Sequence, residues 1–434
     1  MTDLLAARLQ MAVSLGFHII FAVVGIGMPA LMVWSEWRWL RTREEVYLRL
    51  ARQWAKGTAI FFAVGAVSGT VLSFELGLLW PTFMEYAGPL IGMPFSLEGF
   101  AFFTEAIFLG VYLYGWERVS ERAHLAAGVL VAISGLASAV FVMSVNGWMN
   151  SPTGLELGPG GEVTGVDPVA AMLNPAWVPE TLHMVIAAYL ATGFAVAGVH
   201  AWRTLREGPS RFHRKAMGFG LVMGGVMAVL QPISGDVAAR FVAEQQPVKL
   251  AAMEGQFETE AGAPLRIGGL PDAQAGTTEG ALEIPRMLSL LAFHDPDAVV
   301  RGLEEFPREL WPPLAPVRIA WQLMVAIGLF LAGLSVVAAW RWWRGADPLG
   351  ERWLLVSLVA AAPLGFVGIE AGWVVTEVGR QPWIIQGIMR TEEAVTSMPA
   401  VETTFLGFTL LYLLLGAVVA VLVRRMVIEE PGDA

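Results

Sequence analysis

An all-α protein threaded nine times through a membrane is the architecture this chain encodes. Of its 434 residues, 56% are hydrophobic and only 15% charged, and the mean hydropathy is +0.59; that balance belongs to a polytopic membrane protein. Nine apolar stretches of the length a bilayer demands, roughly 20 residues or more, follow one another at 11–34, 57–80, 95–116, 125–145, 180–202, 215–236, 316–340, 353–377 and 403–423. Finally, Lys and Arg occur in every second connection. They fill WRWLRTREEVYLRLARQWAK, WERVSER, WRTLREGPSRFHRK, RWWRG and the closing RRM, whereas residues 83–93 and 146–178, read as short loops, contain none. By the positive-inside rule the N-terminus lies outside and the C-terminus in the cytoplasm.

Several function classes drop out early. The chain has no cysteine, which removes disulfides, thiolate-bound clusters and thiol catalysis together. A net charge of −10 argues against a nucleic-acid partner. The short, acid-containing start Thr2–Arg8 is followed by no small-residue cleavage site, so no signal peptide is expected. One connection is long: 237–315 is polar, mixing the helical pattern KLAAMEGQFETE with Gly/Pro turns, and reads as a partly ordered docking loop. The expected division is therefore 1–236 with six helices, 237–315 as the outer loop, and 316–434 with three helices and a tail.

Chemistry should reside in the ionisable groups at membrane depth, where each costs at least roughly a few kcal/mol. His18 lies within the first apolar stretch, and either ligates a metal or bonds a neighbouring helix. His183 follows Pro179 near the outer start of the fifth stretch, and Met324 lies in the first turns of the seventh. A methionine there normally fills a core, but a His/Met pair is also a low-spin haem ligand set. Glu370 and Glu377 are seven residues apart, hence on one helical face with Trp373, and Arg380 follows before Pro382 ends the helix. That group reads as a ligand site or as an interfacial salt bridge. Glu98 and Glu105 share a face of the third stretch without a basic partner, which suggests a proton relay or a polar bundle contact; Ser138, Asn146, Glu75 and Asp236 could extend it. His124, His200, His213 and His294 fall at helix ends or in loops and are expected to be solvent-exposed.

At this point the residues resemble subunit I of the cytochrome bd-type quinol oxidases. The matching motifs are EAGW at 370–373, GRQPW at 379–383 with Glu377 upstream, EGFAFFTE at 98–105, NGWMN at 146–150, ETLHM at 180–184 and KLAAMEGQFET at 249–259. The resemblance extends over essentially the whole chain. It implies two four-helix bundles plus one extra helix, and a haem-containing terminal oxidase of a bacterial inner membrane that oxidises quinol and reduces dioxygen to water. His183 and Met324 would be the axial pair of a low-spin b-type haem, Glu377 the ligand of a high-spin b-type haem, and His18 the ligand at the oxygen site, haem d or a third haem b. Trp373 would stand between the last two haems and Arg380 would pair with a propionate. Lys249 and Glu254 match the quinol-interacting positions of the long loop, which is of the family's short type. Glu98, Glu105, Ser138 and Asn146 match the proton-delivery set, and Glu370 joins these residues as a further functional acid. Where some members carry arginine this chain has Gln322, and Arg318 one turn earlier is the expected substitute. The implied partners are a second large membrane subunit and small single-helix subunits. Two other classes also suit the residues: a b-type cytochrome anchor, which usually needs paired histidines, and a proton-coupled transporter, for which the acids would be the relay.

Overall fold

The computed structural model describes residues 2–158 and 163–425. Among these residues nine helices are long and apolar enough to cross a membrane: Asp3–Thr42, Glu45–Leu79, Pro81–Tyr114, Glu121–Asn150, Trp177–Glu207, Arg211–Gln245, Leu314–Trp343, Arg352–Val378 and Val401–Val423. They are numbered spans 1 to 9 below. Each contains its expected apolar stretch to within two residues, and most run on well past it. Beyond the apolar core their polar residues remain good helix formers, and hydroxyl caps set the true starts: Thr2, Ser120 and Ser210 accept backbone N–H bonds at the heads of spans 1, 4 and 6.

Two expectations need correction. Residues 83–93, read as a loop, are helical, because span 3 starts with Pro81 in its first turn and continues through Pro89 and Pro94. Span 6 does not end at 236 but continues to Gln245, so the long loop begins later. Span 8 is broken in two, Arg352–Ala361 and Leu364–Val378, at Pro363, whose ring nitrogen removes an intrahelical hydrogen bond.

Spans 1–4 pack on one another as one bundle and spans 5–8 as a second, with span 9 laid against spans 1 and 2. Small residues permit the tightest crossing. At Gly193 a Cβ would collide with the backbone of Gly224, and at Gly365 it would lie 2.5 Å from Ala191 Cα; van der Waals packing of this kind holds helices together in lipid. The basic connections gather at one end, tied by Arg43–Glu121, Arg211–Glu44 and Arg214–Asp347. This is called the basic end.

At the opposite end lies the long loop, ordered throughout. It opens with helix Pro247–Glu254, closes a two-stranded hairpin, Leu265–Asp272 with Thr277–Ile284, and includes helix Met287–Phe293. Asp272 caps the hairpin turn by accepting from Gln274 and Ala275 N–H, and Gly276 takes the left-handed φ of +68° that the turn requires. Ala251, Ala252, Met253 and Phe257 of the loop share a core with Val317, Ala320, Ala371 and Val375 of spans 7 and 8. The loop is thus seated on the second bundle by apolar burial.

Candidate functional site

Spans 5, 6, 7 and 8 and the loop helix enclose a cavity lined by His183, Met324, Trp373, Glu180, Lys249 and Asn146, among others. Glycines line it too. A Cβ at Gly372 would lie 3.1 Å from Met324 Sδ, and one at Gly235 would lie 3.4 Å from His183 Cε1, so both candidate ligands lie close against bare backbone.

Two of the histidines share one arrangement. His183 Nδ1 is 3.0 Å from Ser234 Oγ, whose own hydrogen goes to Gln231 O at 2.9 Å. With that hydrogen on Gln231 O, the Ser234 hydroxyl accepts from Nδ1–H in the tautomer that leaves the lone pair on Nε2; Gln231 Nε2 lies 3.0 Å from Nε2 and 3.1 Å from Nδ1. His18 repeats the arrangement on another pair of spans. Its Nδ1 is 2.9 Å from Ser68 Oγ, which donates to Val64 O at 2.9 Å. This ring too lies against a glycine, since a Cβ at Gly69 would be 3.1 Å from His18 Cε1.

At the loop end a hydrogen-bonded chain joins three elements. Lys249 Nζ donates to Asn150 Oδ1 at 2.9 Å, Asn150 Nδ2 to Asn146 Oδ1 at 3.1 Å, and Asn146 Nδ2 to Glu377 Oε1 at 2.6 Å. Arg380 closes it by donating to Glu377 Oε2. Arg380 is buried, yet its Nε and Nη1 have no partner, nor do the nearby Glu180 Oε2 and Thr181 Oγ1. Orphaned buried donors are costly and suit an anionic group such as a haem carboxylate. The donor set, the flanking glycines and these orphaned groups all fit a porphyrin held by His183 and Met324. Burial first, and Arg380 second, bring the Lys249 ammonium down to about 7.

Glu254, on the same short helix, faces away. Its carboxylate accepts from Trp321 Nε1 at 2.8 Å and pairs with Arg318 Nη1 at 3.5 Å, and burial pushes it above the ordinary carboxylate range. Arg318 also donates to the carbonyls of Met253, Arg266 and Gly268, and Gln322 accepts from Gly268 N at 3.0 Å. Arg318 and Gln322 thus anchor the loop, and neither lines the cavity.

The expected site residues therefore fall into separate groups. His183, Met324, Trp373, Lys249 and Asn146 meet at one cavity, with Glu377 and Arg380 bonded to its edge. His18 lies between spans 1 and 2, and Glu370 reaches span 1, where a Cβ at Gly16 would be 3.3 Å from its Oε2. Glu98 accepts from Ser138 at 2.9 Å, and Glu105 packs against Gly135 of span 4. Asn146, expected beside those acids, instead bonds Glu377. Glu75 bonds Gln10, and Asp236 pairs with Arg240 and His294, so neither extends the Glu98–Glu105 line.

Three histidines expected in solvent are not there. His124 and His200 are buried and His213 is mostly so, because the helices extend past the apolar stretches and bury their ends against one another; His294 is exposed. His124 spends both ring nitrogens on Glu36 and Tyr112 O, and His200 pairs with His213. The residues that sequence reading passed over are Glu180, Asn150, Ser68, Ser234 and Gln231. Only Glu180 carried a signal, as an acid one turn ahead of His183 in ETLHM.

Residues 6–431 match the family described as cytochrome bd terminal oxidase subunit I. The chain is 37% identical to the putative cytochrome bd menaquinol oxidase subunit I of Bacillus subtilis (strain 168), covering 100% of this chain and 98% of the relative. It is 30% identical to the cytochrome bd-II ubiquinol oxidase subunit 1 of Escherichia coli (strain K12), covering 92% and 91%. Among solved structures, the bd oxidase from Geobacillus thermodenitrificans matches with a TM-score of 0.92 and 40% identity over 99% of both chains. With that fold, length and motif content, the chain belongs to the cytochrome bd terminal oxidase subunit I family, the haem-containing subunit of quinol oxidases of the respiratory chain.

Proposed function

We propose that this subunit binds quinol at the loop end, holds two b-type haems and a haem d or third haem b, and supplies protons for water formation from the basic end. His183 and Met324 would hold the low-spin b-type haem, Glu377 the high-spin one, and His18 the haem at the oxygen site. When bound, haem supplies one-electron carriers and, where iron keeps an open coordination position, the site of dioxygen reduction. The single observation that carries this reading is the shared serine device, in which a hydroxyl bonded back to its own helix faces Nδ1 of both His18 and His183, while His124, His200 and His213 are engaged with Glu36, Tyr112 O and one another.

This chain's own residues do the rest. Lys249, titrating near neutrality, exchanges a proton with a quinol hydroxyl, and Glu254 with Arg318 fixes the loop helix that carries it. Asn150 and Asn146 connect that amine to Glu377, and Arg380 offers its unpartnered nitrogens to a propionate. Trp373 fills the space beside Met324 and His183. Glu98, hydrogen-bonded to Ser138, and Glu105 two turns nearer the basic end carry protons inward, and Glu370 is a further acid facing span 1. The basic end would face the cytoplasm of a bacterium and the loop the outside of its inner membrane. The exposed apolar side chains Phe100, Phe103 and Ile107 on span 3 offer surface to lipid or to the second large subunit that a subunit I implies, with small single-helix subunits as additional partners.

A purified complex tests this. It should consume oxygen with duroquinol as donor and show both b-type bands and a third haem signal in reduced-minus-oxidised spectra; b-type bands without oxygen uptake would reject it.

A further inference from the structure

The row of groups on span 3 does not stop at Glu105. Tyr112 follows seven residues later, close to two more helical turns, so Glu98, Glu105 and Tyr112 share one face that points into the first bundle. Tyr112 is fully buried, and its side chain leans toward the helix start, that is, toward Glu105. Span 1 brings Glu36 to the same place, also fully buried, and span 4 brings His124, whose ring lies 4.4 Å from that of Tyr112.

The hydrogen bonds around His124 fix how many protons this cluster holds. Its Nε2 is 2.9 Å from Tyr112 O, and a carbonyl can only accept, so Nε2 is protonated. Its Nδ1 is 2.8 Å from Glu36 Oε1, a contact that requires one further proton, on the imidazole or on the carboxyl. The Glu36–His124 pair is therefore loaded with a transferable proton. Two polar atoms beside it, Glu36 Oε2 and the Tyr112 hydroxyl, are buried and lack partners, although they lie within electrostatic reach of each other. Such a pair normally marks an ordered water. Toward the basic end the Trp116 ring covers His124 at 3.9 Å, and the Arg52 guanidinium of span 2 lies over Trp116 at 5.1 Å. The groups recorded against the pair are Tyr112 from span 3 and, across Trp116, Arg52 from span 2, with Glu105 two helical turns further along the same face of span 3.

We propose that Glu36, His124 and Tyr112 form a proton-loading site, completed by bound water, through which protons from the basic end enter the Glu105–Glu98 line. A proton from the aqueous phase binds the imidazole–carboxylate pair while the pair's own proton leaves from Glu36 Oε2, through water at the Tyr112 hydroxyl, to the Glu105 carboxylate. Two transfers are coupled: a water O–H bond breaks as the pair gains its new proton, and the pair's bond to its own proton breaks as an O–H bond forms on Glu105; no electron moves. The proposal rests on Glu98 and Glu105 delivering protons. A latch that merely stitches spans 1, 3 and 4 together is the competing role.

The test uses the intact oxidase, with duroquinol-driven oxygen uptake measured in H2O and D2O for Glu36→Gln, Tyr112→Phe, Glu36→Asp and, as reference, Glu105→Gln. Tyr112→Phe removes only the hydroxyl and preserves the ring packing. Glu36→Gln, Tyr112→Phe and Glu105→Gln should each slow turnover about tenfold or more, as loss of a proton-transfer group does. The haem spectra should be unchanged and the solvent isotope effect enlarged, with Glu36→Asp recovering much of the rate. Normal turnover and isotope effect in both Glu36→Gln and Tyr112→Phe, beside a slowed Glu105→Gln, would overturn the loading site and leave the carboxylate line standing. Slow turnover with lowered haem content and an unchanged isotope effect would mean a latch, which also overturns it. An unaffected Glu105→Gln would remove the carboxylate line and the loading site together.

Discussion

Single hydroxyls decide what the histidines can do. Ser68 and Ser234 each bond back to their own helix and face Nδ1 of His18 and His183, an arrangement that favours the Nδ1–H tautomer. Outer-shell partners of this kind are worth about 10- to 100-fold in affinity, so Ser68→Ala and Ser234→Ala should each lower the content of one haem while sparing the other, read from the pyridine-haemochrome spectrum. Lys249 supplies a pH dependence. Burial lowers it from the ordinary 10.5 to about 7, so below 7 it is an ammonium that can only donate, and above 7 an amine that can accept from quinol. Quinol oxidation should rise as pH climbs through 7, and Lys249→Met should lose that limb. The sign for stability agrees: between 7 and 10.5 the unfolded chain binds the extra proton, so the loop's seating gains with pH across that window. His18, His183, Met324 and Glu377 stand out in the sequence as candidates because polar or sulfur-bearing groups in apolar stretches are conspicuous. Ser68, Ser234 and Asn150 do not, because serine and asparagine are unremarkable until a side chain some 50 to 99 positions away comes to meet them.

Elements fix the site through close approach. Span 5 carries His183 and span 6 its serine partner, and the two cross where Gly193 meets Gly224. Gly193→Val would put side-chain atoms into backbone, an overpacking cost of about 1–3 kcal/mol or more, and should reduce the low-spin haem signal together with thermal stability. The loop helix is held by the Glu254–Arg318 pair, both partners nearly inaccessible. Glu254→Ala leaves a buried cation unpaired, about 3–5 kcal/mol, so the loop should become protease-sensitive and quinol oxidation should fall while haem bands persist; haem loss in that variant would contradict the assignment. The apolar periodicity revealed the helices but not their ends. Residues 83–93 read as a turn because prolines and polar residues interrupt the pattern, yet span 3 carries its prolines within the helix.

For the whole molecule, the alternation of basic connections was the most legible feature, and the ion pairs that gather those connections at one end give it physical form. The division into two bundles was not legible from composition, since it depends on which glycines and alanines face each other. Sidedness can be checked directly because the chain has no cysteine. In intact cells a membrane-impermeant maleimide should label Gln274→Cys in the loop and spare Glu117→Cys at the basic end, and the reverse pattern would invert the proposed proton flow. The central claim is that His183 and Met324 grip one haem in the cavity between spans 5 and 7. The reduced-minus-oxidised spectrum of Met324→Leu in the intact complex tests it most directly. The low-spin b-type signal should convert to a high-spin one with the other haem bands unchanged; an unaltered low-spin band would mean that Met324 does not hold that haem.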